Sequence, residues 1–303
     1  MPATAARSAA SFLDPTVLAR IGNLELVART VVDGFVNGLH RAPYFGLSLD
    51  FAEHRPYMPG DDIRRIDWRL YARTDRYHVK EFEADTNANC VVLLDASRSM
   101  AYGSGAITKL DYARYLAACL LHFSHGQRDR VGLVTFDGAV RDFIPASARN
   151  LDVALHTIDR LESGREGTLA APIAQVADRL RRRGILVLLS DLYEEPAAVL
   201  KALRPLRGRG HDVIVLHLLD PAELEFPFAD PTNLVDLETG ERMPVLPKSM
   251  REQYRAMVRE HVATLGRELA GDGIDYALFD TSRPLDFALF HYLSSRERRS
   301  RVR

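Results

Sequence analysis

Residues 91–100 read VVLLDASRSM. Four apolar residues run straight into Asp95, Ser97 and Ser99, three oxygen-bearing side chains each two positions from the next. A short apolar run bounded in this way reads as a strand buried on both faces. Small polar residues directly after it have two explanations. They cap the start of a helix, or they line a site beyond the carboxyl end of the strand. The rest of the chain decides between them.

Working outward, the same construction recurs. Strands are expected at 90–95, 131–136, 140–144, 185–190, 213–218 and 274–279, and helices at 109–125, 151–162, 170–183, 195–207, 249–271 and 285–298. Phe136-Asp137-Gly138-Ala139 reads as a hairpin turn whose Asp-Gly pair supplies positive φ. Elsewhere strands alternate with helices and four strands are solidly apolar, the pattern of a parallel sheet covered on both faces. Residues 220–247 form a Pro-rich excursion, and the tail SSRERRSRVR is a solvated charge run.

Ahead of this region, residues 1–13 read as disordered. Val17, Leu18, Ile21, Leu24, Leu26, Val27, Val31, Val32 and Phe35 then recur at helical spacing, so one helix is expected from Asp14 to about Leu39, with Asp14-Pro15 as its start. Pro59-Gly60 reads as a turn, a short helix runs through Ile63, Ile66 and Leu70, and residues 77–83 alternate like a strand. The expected fold is α/β: a doubly wound, mostly parallel sheet with helices on both faces. Residues 1–85 supply an N-terminal helix and a wrapping arm, and residues 86–303 form the sheet domain.

Bulk properties narrow the function classes. The chain has 303 residues, 47% hydrophobic and 27% charged, enough for a sizeable core. A net charge of −1 argues against general nucleic-acid affinity. Lysine occurs only at 80, 109, 201 and 248; the rest of the basic residues are arginine. Cys90 and Cys119 sit in apolar surroundings at no paired spacing, so reduced thiols are expected. No apolar stretch reaches the ~20 residues of a membrane helix, and the N-terminus is a poor signal peptide. A cytoplasmic location is expected, with any membrane contact made through a partner.

Three loops offer oxygen at the carboxyl edge of the expected sheet. Asp95, Ser97 and Ser99 follow the first strand, Asp191 ends ILVLLSD, and Thr168 in GREGTLAAPI precedes a helix. Ser97, Ser99 and Asp191 are each explained by capping and Thr168 alone carries no signal; together the five form a hard-oxygen set suited to Mg²⁺, Mn²⁺ or Ca²⁺, with no soft ligand. Two carboxylates are few for a dication, so a coordination position is left for an outside carboxylate. This five-residue pattern resembles the metal-ion-dependent adhesion site of von Willebrand factor type A domains, over roughly residues 88–280. The resemblance implies direct metal contact by Asp95, Ser97 and Ser99, with Thr168 and Asp191 acting directly or through water.

The stretch EHRPYMPGDDIRRIDWRLYARTDRYHVKEF at 53–82 holds the only tryptophan, Trp68. Its mixture of Arg55, Tyr57, Asp61, Asp62, Arg64, Arg65, Asp67, Trp68 and Arg73 reads either as an ion-pair network bracing the arm or as a partner-docking surface. Arg-x-Tyr-x-Pro-Gly-Asp-Asp, then Arg-x-Ile-Asp-Trp, Ala-Arg-Thr and Val-Lys, with His40-Arg41 and GLSLD upstream, resembles the bacterial family catalogued as domain of unknown function fifty-eight. That resemblance implies association with a MoxR-type AAA+ ATPase and an adaptor or co-chaperone role toward a client complex.

Catalytic patterns are poorly represented. Gly103-Ser104-Gly105 lacks the Lys-Ser/Thr of a phosphate loop. No Gly-x-Ser-x-Gly elbow or HExxH pair occurs, and His122 and His125 share a helical face with no acidic third ligand. The remaining enzymatic alternative is a Mg²⁺-dependent hydrolase on the same metal, with Glu194 or Glu195 as general base.

Overall fold

The computed structural model describes residues 23–41, 53–56, 71, 73, 75–81, 88–237, 240–289 and 291–292. Among the described residues, helix α1 (Leu24–Arg41) comes first, followed by a short antiparallel pair, β1 (Glu53–Pro56) and β2 (His78–Glu81). The sheet domain then runs β3 (Asn89–Asp95), a 3₁₀ turn (Arg98–Ala101), α2 (Lys109–Gly126), β4 (Arg130–Phe136), β5 (Val140–Ser147), α3 (Leu151–Asp159), α4 (Ala170–Arg179), β6 (Ile185–Ser190), α5 (Pro196–Gly208) and β7 (Asp212–Leu219). It continues with α6 (Pro221–Glu225), the hairpin β8 (Thr232–Val235) and β9 (Arg242–Val245), α7 (Pro247–Gly271) and β10 (Asp275–Asp280).

The main sheet has six strands in the order β10-β7-β6-β3-β4-β5, parallel except for β5, which runs antiparallel to β4. From β3 the chain winds first toward β5, then returns to β6 on the other side. The switch in strand order therefore falls between β3 and β6, where an open α/β sheet presents its binding crevice. The doubly wound, mostly parallel architecture expected from the apolar strands is the one observed.

The alternation of the pleat divides the core in two. Cys90, Val92 and Leu94 of β3 face α2 and α3, whereas Val91 and Leu93 face α4, α5 and α7. Helix α2 starts with a capping box in which Thr108 and Asp111 exchange side-chain and backbone bonds. It is buried on several sides because α1 lies over it: Val27, Ala28 and Val31 are fully buried in the same core as α2. Helices α5 and α7 both end on left-handed glycines, Gly210 (φ 83°) and Gly273 (φ 67°). In each case the next amide bonds back to the helix: His211 N–H to the Leu206 carbonyl, and Ile274 N–H to the Leu269 carbonyl. These stops launch β7 and β10.

Several expectations need correction. Helix α1 starts at Leu24, where the Asn23 side chain accepts the Leu26 N–H at 3.0 Å, so the apolar run does not form one helix from Asp14. Asp14-Pro15 itself lies outside the described residues. The hairpin between β4 and β5 forms, but neither Asp137 nor Gly138 has positive φ. Asp137 instead closes the turn on itself, its Oδ1 accepting the Ala139 N–H at 3.2 Å. Strand β5 continues past Pro145 to Ser147, which an edge strand tolerates. Helices α3 and α4 stop at Asp159 and Arg179, short of the expected 162 and 183. The 220–247 excursion contains α6 and the hairpin β8–β9. Helical turns occur at 286–289 and 291–292; the rest of the expected last helix lies outside the described residues.

Candidate functional site

Asp95 is the last residue of β3 and is 5% exposed. Its Oδ1 accepts the Ser97 N–H at 2.8 Å, and its Oδ2 accepts the Ser190 hydroxyl at 2.6 Å. Ser190 ends β6, the neighbouring parallel strand, and its Oγ also accepts the Leu192 N–H at 3.2 Å. Ser190 thus ties the two acid-bearing loops together across the switch point. Ser97 Oγ and Ser99 Oγ lie 3.1 Å apart. Neither end of the 3₁₀ turn uses Ser97 as a side-chain cap, so the capping explanation does not account for it. Burial, followed by the charge of Asp191, pushes the Asp95 carboxyl up to about 7, against the lowering bonds from Ser190 and Ser97. The repulsion between the two buried carboxylates is relieved by a proton or by a cation.

Asp191 (3% exposed) directly follows β6. Leu192 behind it is buried with φ 47°, a left-handed conformation that a bulky residue holds only when its surroundings enforce it. Strain of this kind clusters at functional sites. Two further groups fix Asp191. Lys109 Nζ donates to its Oδ2 at 2.8 Å and to Glu223 Oε1 at 2.7 Å. Burial works against the Lys109 charge, but Asp191 and Glu223 overcome it and hold the ammonium above the ordinary lysine value. His217 Nε2 lies 2.7 Å from the Asp191 carbonyl, which can only accept, so this nitrogen carries the proton. Nδ1 then accepts the Tyr276 hydroxyl at 2.7 Å. Burial lowers the pKa of His217 to about 3, which keeps it neutral.

The Thr168 loop is anchored from below. Gly164 N–H donates to the Ala96 carbonyl at 2.6 Å, and Arg165 N–H to Asp137 Oδ2 at 3.2 Å. Leu169 N–H donates to Glu194 Oε1 at 2.5 Å. At Gly167 an added Cβ would lie 2.2 Å from Gly138 N, so only glycine lets this loop rest on the β4–β5 hairpin.

Asp95, Ser97, Ser99, Thr168 and Asp191 all line one cleft of about 180 Å³, with Asp137, Glu166 and Glu194 also on its wall. Thr168 is exposed at the rim, while the two aspartates lie at the buried floor. Elements separated by up to 96 residues thus bring the five expected oxygen donors together. The donor set is all hard oxygen and suits a divalent cation of the Mg²⁺ or Ca²⁺ type. Among the described residues there is no group of three or more His, Cys, Asp or Glu side chains arranged for a metal; this cleft would rely on two carboxylates plus hydroxyls.

Of the arm residues, Arg55 falls in β1, paired in register with Val79 of β2. Tyr57, Asp61, Asp62, Arg64, Arg65, Asp67 and Trp68, like the Pro59-Gly60 turn and the helix through Ile63, lie outside the described residues. Sequence reasoning did not find Lys109, Ser190, His217 or Glu223. Each is a single polar residue in an apolar or capping context, and its partner is distant in sequence. Cys90 and Cys119 are buried thiols outside any disulfide, and the Ser124 hydroxyl donates to Cys90 Sγ at 3.4 Å. The Ser104 N–H of Gly103-Ser104-Gly105 donates to Asp220 at 2.9 Å, an internal carboxylate in the place where a phosphate loop would offer its amide to a ligand.

The sequence profile described as "Protein of unknown function DUF58" matches residues 53–264. The chain belongs to the DUF58 family. Uncharacterized protein Rv1480 of Mycobacterium tuberculosis is 29% identical to this DUF58 chain over 291 residues, covering 94% of it and 91% of the relative. The crystal structure of conserved hypothetical protein BatB from Bacteroides thetaiotaomicron is similar at 16% identity, covering 69% of this chain and 99% of that one, with a TM-score of 0.48. The SpRpn10 VWA domain is similar at 13% identity, covering 65% and 90%, with a TM-score of 0.39. Among the described residues of this DUF58 protein, no helix is long and apolar enough to cross a membrane.

Proposed function

We propose that this protein is a divalent-metal-dependent protein–protein interaction module, and that the cleft at the β3/β6 switch point is its metal site. One observation carries this reading: two buried aspartates and three hydroxyls from three separate loops meet in a cleft that opens at Thr168. Asp95, Ser97 and Ser99 would hold the ion directly, with Asp191 and Thr168 completing its surroundings. A bound Mg²⁺, Mn²⁺ or Ca²⁺ would supply a focused positive charge with an exchangeable position. A shell this poor in negative charge retains affinity for a carboxylate from outside. This chain's own residues orient the donors: Ser190 and the Ser97 amide fix the Asp95 oxygens, and His217 fixes the backbone at Asp191.

For the partners we propose a MoxR-type AAA+ ATPase and a client protein, with the module as adaptor or co-chaperone in the cytoplasm; the resemblance in the arm supports this reading. The hydrolase alternative is disfavoured by the position of Glu194, which is committed to the Leu169 amide, and by Glu195, which stands at the start of α5. Co-purification tests the proposal. The ATPase or client should be retained in millimolar Mg²⁺ and lost in EDTA, and Thr168→Ala should weaken retention. Equal capture with and without the metal would remove the coupling role.

A further inference from the structure

Lys109 occupies an unusual position. It is the first residue of α2, at the positive end of the helix dipole, where a cation is disfavoured. It has no exposed side-chain surface, which adds a desolvation cost. It is retained between two carboxylates, Asp191 at 2.8 Å and Glu223 at 2.7 Å, with the Tyr193 ring 4.6 Å from its ammonium. The second partner belongs to a separate structural unit. Glu223 Oε2 accepts the Asp220 N–H at 2.8 Å in the capping box of α6, and Asp220 in turn accepts the Ser104 amide. Lys109 therefore stands between the floor of the cleft and the β7–α6 corner. Tyr193, half-exposed at the cleft wall, covers it.

We infer that Lys109 is a built-in counter-cation that competes with the metal for Asp191, and that Glu223 sets the outcome by drawing the ammonium away. The inference rests on the metal reading above and deepens it. With Lys109 on Asp191, the floor of the cleft carries about one net negative charge, too little to hold a dication firmly. A partner carboxylate restores the missing charge, so the free protein holds the ion weakly and the complex holds it more tightly. The device makes partner binding and metal binding depend on each other, which is what a regulated adaptor needs. Lys109 is a positioning residue in this scheme; it acts through Asp191 and touches neither the metal nor the partner.

Substitutions at Lys109 and at Glu223 make opposite predictions. Removing the cation in Lys109→Met should tighten Mg²⁺ at least about tenfold, because a unit charge a few ångströms from a dication is a large term at an effective dielectric near 20. Glu223→Gln leaves Lys109 with Asp191 alone and should weaken Mg²⁺ by about three- to tenfold. Calorimetric titration of the full chain with Mg²⁺ alone reads both, with thermal melting as the control for folding. A purely structural role predicts loss of binding in both variants, and that result, or no change in either, overturns the inference. Should Lys109→Met fail to fold, Glu223→Gln decides: weaker Mg²⁺ at an unchanged melting temperature supports the inference, and equal or tighter Mg²⁺ overturns it. Absence of saturable Mg²⁺ binding in wild type and both variants removes the metal reading and this inference with it. Wild-type binding that Lys109→Met weakens removes the inference alone.

Discussion

Ser190 shows how much of the site depends on single atoms. Its hydroxyl donates to Asp95 and accepts from the amide of strained Leu192, so one oxygen connects both acid loops. Ser190→Ala should cost about 1–3 kcal/mol of stability, because it leaves a buried carboxylate and a buried amide short of partners. Urea denaturation reads this directly, and Mg²⁺ affinity should fall in parallel. His211 gives a prediction about pH. Burial lowers its imidazole pKa, and Arg209 and Arg183 push the same way against the Gly184 carbonyl and Asp212. The unfolded chain takes up the proton near the ordinary value of ~6.5, while the folded protein resists it. Stability should therefore be full above that value and decline as the pH falls below it. His211→Gln should flatten that limb of a stability-versus-pH curve; an unchanged curve would show that the imidazole does not titrate differently on folding. Residues of this kind were hard to read in the sequence. Asp95, Ser97, Ser99 and Asp191 announced themselves by following apolar strands, but Lys109, Ser190 and Glu223 are ordinary helix-start or strand-end residues until the partners 82, 95 and 114 positions away are known.

At the scale of elements, the loop between α3 and α4 decides whether Thr168 reaches the cleft. It has no regular structure of its own and is held by Asp137, Glu194 and the Ala96 carbonyl. Gly167→Ala places a Cβ against the Gly138 backbone and should lift the loop, lowering Mg²⁺ affinity about tenfold or more while the core-dominated melting transition shifts little. Calorimetry beside thermal melting separates the two effects. Strands and helices of the sheet domain were legible because buried parallel strands are continuous apolar runs and their helices alternate with them. The elements that escaped, β8 and β9, are four residues each, exposed along much of their length, and carry Pro244, so neither periodicity nor composition marks them. The boundary of α1 was missed for a different reason: the apolar spacing continues across Asn23, and only the capping bond shows where the helix begins.

At the scale of the whole molecule, α1 belongs to the core of the sheet domain. Its Val27, Ala28 and Val31 complete the burial of α2, whose own first turn carries Lys109 and so touches the site. Val31→Asp should unfold the protein or cost more than about 3 kcal/mol, since it buries an unpaired charge. Loss of soluble yield and a collapsed melting transition are the expected readouts. The proposed function requires the switch-point cleft to be a divalent metal site. Isothermal titration of the full chain with Mg²⁺, comparing wild type with Asp95→Ala, tests it most directly. Saturable one-site binding is expected in the wild type and none in Asp95→Ala, with both proteins folded. Equal heats in the two proteins would contradict it.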